Sequence, residues 1–242
     1  MRRSLLAVGL LAVLSASTAS AAGINLSWAD CGTFGTQNMT FACNSNTGIA
    51  GTAFGSFIPP ANINQFVGIS VQLDVTTDQA TLPDWWGNSA TGCRGATAVN
   101  ANFDFTAGPF NCVDPYSGTA AGGMVYDIGF GTPNRARVIL QCAIPTEEPL
   151  DAATEYYGFK FNILRTKTTG TGACAGCQFP ACIVLNSFQL FQNPTAGNDP
   201  VLVNPINRDF VTWQATPATN PPCPASTPTR RDTWGRVKSL YR

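Results

Sequence analysis

Residues 69–75 read Ile-Ser-Val-Gln-Leu-Asp-Val, so that Ile69, Val71, Leu73 and Val75 alternate with Ser70, Gln72 and Asp74. A period of two puts every second side chain on one face of an extended chain, which is the pattern of a half-buried strand and not of a helix. The pattern returns in "ARVILQCAI", where Ala136, Val138, Leu140, Cys142 and Ile144 share a face, and in "YGFKFNI", where Tyr157, Phe159, Phe161 and Ile163 do. Weaker versions occur in "INLSW", "TAFGSFI", "VNANFDF", "MVYDIGF", "CIVLNSFQLF" and "DFVTWQA". Turn-forming clusters such as "NSNTG", "DPYSG", "GTPN" and "TGTGACAG" separate them.

No helical period is interleaved with these runs, so a parallel α/β sheet is excluded. The 23 glycines, 17 prolines and only 12% charged residues fit a chain of many turns and few solvated helices. The expected fold is all-β: a two-sheet antiparallel β-sandwich of jelly-roll or Ig-like type, stapled by disulfides. Sandwiches of this size commonly form one domain. No repeat of fixed period argues for a solenoid or propeller.

The chain holds nine cysteines and no histidine. Without histidine, Ser-His-Asp, Cys-His and His-metal chemistries are all excluded, and no metal or cofactor is expected. The compartment follows from the beginning of the sequence. Met1, Arg2 and Arg3 precede the apolar run LLAVGLLAVL and the small polar stretch SASTASAA, which reads as a signal peptide over residues 1–21 cut after Ala21. The apolar run is about half of the roughly 18 residues a membrane span needs, so no transmembrane segment is expected there. A secreted chain, periplasmic or extracellular, enters an oxidising space in which disulfides persist.

Cys31, Cys43, Cys93, Cys112, Cys142, Cys174, Cys177 and Cys182 are accordingly read as disulfide cysteines, and Cys223 as a further candidate. Local spacing favours Cys31 with Cys43 and Cys93 with Cys112; the other partners stay open, and an odd total leaves one thiol free or bonded to another molecule. "CAGCQFPAC", residues 174–182, could be a redox pair, but it lies among strands and not in a thioredoxin-like βαβ unit, so it reads as a staple at the sandwich rim. Cys174 could close a tight ring with Cys177, or one of them could reach Cys142 or Cys223.

The β-sandwich body is expected over residues 22–215. "TPATNPPCPASTPT", residues 216–229, has five prolines and no aliphatic residue larger than alanine, so it reads as an extended linker. Residues 230–242, "RRDTWGRVKSLYR", carry five basic residues and one acid, a net of +4, against seven basic and thirteen acidic residues, a net of −6, over 22–229. Asp232 or Thr233 can cap a short C-terminal helix whose apolar stripe is Trp234, Val237, Leu240 and Tyr241. So short a helix does not hold in water unaided, so this tail must dock, either on the body or on an export or surface-display partner.

The ending "CPASTPTRRDTWGRVKSLYR", with the "CxGC…P-x-C-I-V-L-N" stretch, resembles secreted proteins of environmental bacteria that share a Pro-rich linker and a T-W-G-x-V-K-x-L-Y-R C-terminus. The resemblance covers much of the mature chain and is most specific in the tail. It implies a bacterial exported protein and no particular activity.

For binding, "LPDWWGN" stands out. Pro83 and Gly87 bracket a loop, and in an extended chain the adjacent Trp85 and Trp86 point opposite ways, so one would face solvent or a groove. An exposed indole beside Asp84 suits a sugar, and aromatic anchors suit protein partners as well. The alternative is that both indoles plug one end of the sandwich. A glycosidase needs a carboxyl pair; Asp84, Asp104, Asp127 and Glu155 are available, the last three on expected strands, but fourteen acids always furnish some pair. "DPYSG" and "TTDQ" are better explained as turns than as calcium loops. An acidic body with three lysines in the whole chain excludes nucleic acid as a partner. Two readings therefore lead: a non-enzymatic recognition or adhesion module binding a glycan or surface protein, or a structural envelope or matrix component connected through its tail or its odd thiol. A glycoside hydrolase-like enzyme is the third.

Overall fold

The computed structural model of the protein describes residues 21–215 together with Cys223 and Pro224. The expected signal peptide, apart from Ala21, lies outside the described residues. So do the rest of the Pro-rich segment and the basic tail with Trp234, Val237, Leu240 and Tyr241.

Among the described residues eleven strands are formed: β1 (Gly23–Trp28), β2 (Asn38–Met39), β3 (Ile49–Ile58), β4 (Ile63–Thr77), β5 (Val99–Asn102), β6 (Ala121–Ile128), β7 (Arg135–Leu150), β8 (Tyr156–Leu164), β9 (Ala181–Gln192), β10 (Val201–Leu202) and β11 (Phe210–Trp213). Each segment with period-two patterning contains one of them. β2 and β10 were not anticipated, because a two-residue strand is too short to show a period. β5 also ends earlier than expected, at Asn102. The Asn102 side chain accepts the N–H of Asp104 at 2.8 Å, and Asp104 in turn accepts that of Thr106 at 2.9 Å, so local side-chain bonds replace the ladder.

The strands make two sheets, ordered β1-β3-β8-β5 and β2-β11-β9-β4-β7-β6, with β10 on β9. Between the named strands pairing is antiparallel with one correction to the expected all-antiparallel arrangement: β2 runs parallel to β11. The sheets face one another across an aromatic layer in which Phe57 of β3 lies 5.0 Å and Phe159 of β8 lies 5.9 Å from Phe188 of β9. Gly158 is needed here, since a Cβ at that position would meet the Phe188 ring. Ile69, Val71, Leu73 and Val75 of β4 and Ala136, Val138, Leu140, Cys142 and Ile144 of β7 all point into this core, as their alternation requires. On the outer face of the same strands Arg137 makes a two-pronged bond to Asp74, at 2.7 and 2.8 Å.

The two ends of the sheets are treated differently. The free edge of β1 is bonded by the 203–209 segment, through Ile24 N–H to Asn204 O at 2.9 Å and Leu26 N–H to Arg208 O at 3.0 Å, and by Thr36. That cover removes an edge at which another chain could pair. β6, at the far end of the larger sheet, is mostly exposed.

Four disulfides correct the pairing expected from spacing: Cys31–Cys112, Cys43–Cys177, Cys93–Cys174 and Cys182–Cys223. Neither Cys31–Cys43 nor Cys93–Cys112 exists: each of these cysteines is bonded to one 81 or 134 residues away in sequence. Cys142, read as a disulfide cysteine, is a buried free thiol. It lies on the core face of β7, and burial pushes its pKa up to about 12.

Candidate functional site

The Asp84–Trp86 stretch is not the surface it promised to be. It forms one turn of 3-10 helix, with Trp86 N–H bonded to Pro83 O and Gly87 N–H to Asp84 O. The expectation that one indole faces solvent assumed an extended chain. A helical turn lets adjacent side chains lean to the same side, and both Trp85 and Trp86 are 0% exposed. Asp84 alone of the three is exposed. Trp85 stacks on Trp213 of β11 at 4.7 Å and meets Trp86 edge-on at 5.0 Å, while Trp213 stacks on Phe41 at 4.1 Å. These rings plug one end of the sandwich.

"CAGCQFPAC" seals that plug. Its three cysteines reach three different segments: Cys174 the loop at Cys93, Cys177 the segment at Cys43, and Cys182 the chain beyond β11 at Cys223. Its backbone also serves the indoles, as Trp213 Nε1–H donates to Cys177 O at 2.7 Å and Trp85 N–H to Ala175 O at 2.8 Å. Neither the ring Cys174–Cys177 nor a bond to Cys142 forms. The motif is structural.

Arg94 completes this end and was not singled out in the sequence. Its guanidinium lies 3.8 Å over the Trp85 ring and donates to the carbonyls of Thr166 at 3.0 Å, Trp85 at 3.1 Å and Leu164. Burial lowers its pKa to about 10. Only its adjacency to Cys93 could have drawn attention to it.

The Cys31–Cys112 disulfide joins two loops with the opposite character. The first carries Phe34, 60% exposed, and the second Phe110, 79% exposed, with Val113 beside it. Exposed as they are, these side chains sit on loops that are firmly held. Asp30 accepts bonds from Tyr157 Oη at 2.7 Å, from its neighbour Cys31 N–H at 2.7 Å and from the Asn111 side chain. Val113 pairs with the start of β8, donating to Glu155 O and accepting from Tyr157 N–H. Lys160 donates to the carbonyls of Asp104 at 2.7 Å and Gly108 at 2.9 Å. The Glu155 carboxylate takes the Asn25 amide at 2.7 Å and the Ser56 hydroxyl at 2.6 Å, and it lies where a side chain on Gly32 would stand.

The acids considered for glycoside chemistry thus have separate local duties. Asp104 is in a loop, where it closes a turn with Thr106 whose hydrogen bonds lower its pKa; Glu155 precedes β8 and braces β1 and β3; Asp127 is exposed on β6 opposite Arg137. Asp114 likewise closes the turn of "DPYSG" by accepting Tyr116 N–H at 2.9 Å. Among the described residues no helix is long and apolar enough to cross a membrane. No protein-family model, curated protein or solved structure matches the chain.

Proposed function

We propose that the chain is an exported, non-enzymatic recognition or adhesion module that binds glycan through the Phe34–Phe110 loop pair, in place of the Asp84–Trp86 stretch. The observation that carries this reading is the combination of two highly exposed phenylalanines with loops fixed by a disulfide and by buried hydrogen bonds. Large apolar side chains held out in water on rigid supports lose little freedom on binding, which favours a contact surface. Phenyl faces stack on sugar C–H surfaces, and Asn111, exposed between Phe110 and Cys112, offers hydrogen bonds to hydroxyls. The four disulfides support placement outside the cytoplasm.

Of the two sandwich types, strand order favours the Ig-like one. β1-β3-β8-β5 follows the A-B-E-D order of such a domain, and β11-β9-β4 follows G-F-C, with β6 and β7 added beyond C. Loops carried by a rigid body are a usual place for recognition. The structural alternative loses its covalent route, since Cys142 is buried and Cys223 is paired within the chain.

A glycan array probed with the wild-type protein, Phe34→Ala and Phe110→Ala tests the reading. Retained folding with at least tenfold weaker binding in Phe110→Ala is the expected outcome. Binding unchanged in both variants, or no glycan bound by the wild type, would reject it.

A further inference from the structure

We infer that the basic C-terminal tail docks on the outer face of the β6–β7 ribbon of its own body, with Trp234 as the anchor. Of the large apolar side chains exposed among the described residues, a group gathers on this ribbon: Val125, Ile139 and, on the connecting turn, Phe130. Val125 and Ile139 are directly opposed in the ladder. Phe130 lies over the guanidinium of Arg137, 4.1 Å from its centre, and Arg137 is two residues from Ile139 on the same face of β7. The result is a small apolar face at an open sheet edge, where water contact is unfavourable unless something covers it.

The route of the chain singles out what covers it. Cys223 is bonded to Cys182 at the start of β9, which fixes where the Pro-rich segment meets the body. Pro224 then borders a notch of about 300 Å³ with Thr76, Asp78, Asn134 and Arg135. Cys223 and Pro224 thus step from β9 toward β4 and the root of β7. Arg135 is four residues before Ile139 on the same strand, a span of about 13 Å. Trp234 is ten residues beyond Pro224, a reach of up to about 35 Å, so the spacer is ample to bring it to this face.

Chemistry agrees at both levels. Trp234, Val237, Leu240 and Tyr241 form one apolar stripe at helical spacing, which matches an apolar strip two strands wide. The tail carries Arg230, Arg231, Arg236, Lys238 and Arg242; on the face Arg135 and Arg137 are held by Asp74, and Asp78 and Asp127 are exposed beside it. With the tail covering it, the face is closed to other chains, and a partner for the tail must first displace it.

The test uses the full mature chain with Trp234→p-benzoylphenylalanine, irradiated and mapped by mass spectrometry. Cross-links to residues 123–141 of the same molecule are expected, with the yield about tenfold lower in Ile139→Asp, where a charge replaces the apolar contact. Because Ile139 is partly exposed, that variant should fold; Val125→Asp repeats the test from the neighbouring strand. Cross-links elsewhere on the body, cross-links between two molecules, or none to protein would each overturn the inference. The glycan experiment on Phe34 and Phe110 is independent of the result.

Discussion

Two regions of the sandwich combine aromatic side chains with disulfides, and they use them in opposite senses. At the "CAGCQFPAC" end the rings of Trp85, Trp86, Trp213 and Phe41 turn inward and two disulfides close over them. Around Cys31–Cys112 the disulfide and the Asp30 network lie underneath, and Phe34 and Phe110 turn outward. The difference teaches that an aromatic cluster in a sequence has no fixed meaning. What decides is whether the local backbone lets the rings reach a common interior.

The disulfides give the largest test of that contrast. Cys93–Cys174 and Cys31–Cys112 both span 81 residues, so in the chain-entropy view each contributes a similar amount, about 4.5 kcal/mol. Urea denaturation of Cys93→Ser/Cys174→Ser and of Cys31→Ser/Cys112→Ser should therefore show comparable losses from the crosslink, with a surplus for the first pair, where the plug also loosens. Equal losses would mean that the aromatic plug stands without its cover. Single side chains give a sharper comparison. Trp213→Ala should cost about 3–5 kcal/mol, because its indole contacts Trp85, Trp86 and Phe41 in a site that cannot collapse, whereas Phe110→Ala should stay within about 0.5 kcal/mol. A reversal of that order would undo the assignment of one region to stability and the other to contact.

A further test is an alkaline one. Burial raises the pKa of Cys142 to about 12 and raises those of Tyr116 and Tyr126, so the folded state keeps protons that the unfolded chain releases above about pH 9. Stability is then unaffected by these groups at neutral pH and falls as pH rises beyond 9, when the unfolded state binds fewer protons. Cys142→Ala should flatten the first part of that decline in denaturation midpoints measured from pH 8 to 11. Tyr126→Phe should flatten the part above 10, and it also removes the bond from Tyr126 Oη to Trp86 O at the plugged end.

Much of the body could be read from residue order, and the reason is physical. A strand such as Ile63–Thr77 writes its burial into its own sequence, because Ile69, Val71, Leu73 and Val75 must all face one way. The partners of Cys174, Cys177 and Cys182 carry no such local signature, since they depend on which segments the fold brings alongside. Trp85 and Trp86 failed for a narrower reason: two adjacent residues do not reveal whether the backbone is extended or turned. Arg94 was invisible because its partners are carbonyl groups, which every residue has.

The disulfide connectivity also bears on how the protein comes to be made. A chain delivered from its N-terminus presents Cys31 and Cys43, then Cys93 and Cys112, before any cysteine of "CAGCQFPAC" arrives. Pairing in order of arrival would join Cys31 to Cys43 and Cys93 to Cys112, and both unions are foreign to the finished molecule. Native Cys43–Cys177 and Cys93–Cys174 must await the last third of the polypeptide. Maturation therefore depends on early thiols remaining unspent, or on a thiol–disulfide exchange catalyst that undoes the first choices.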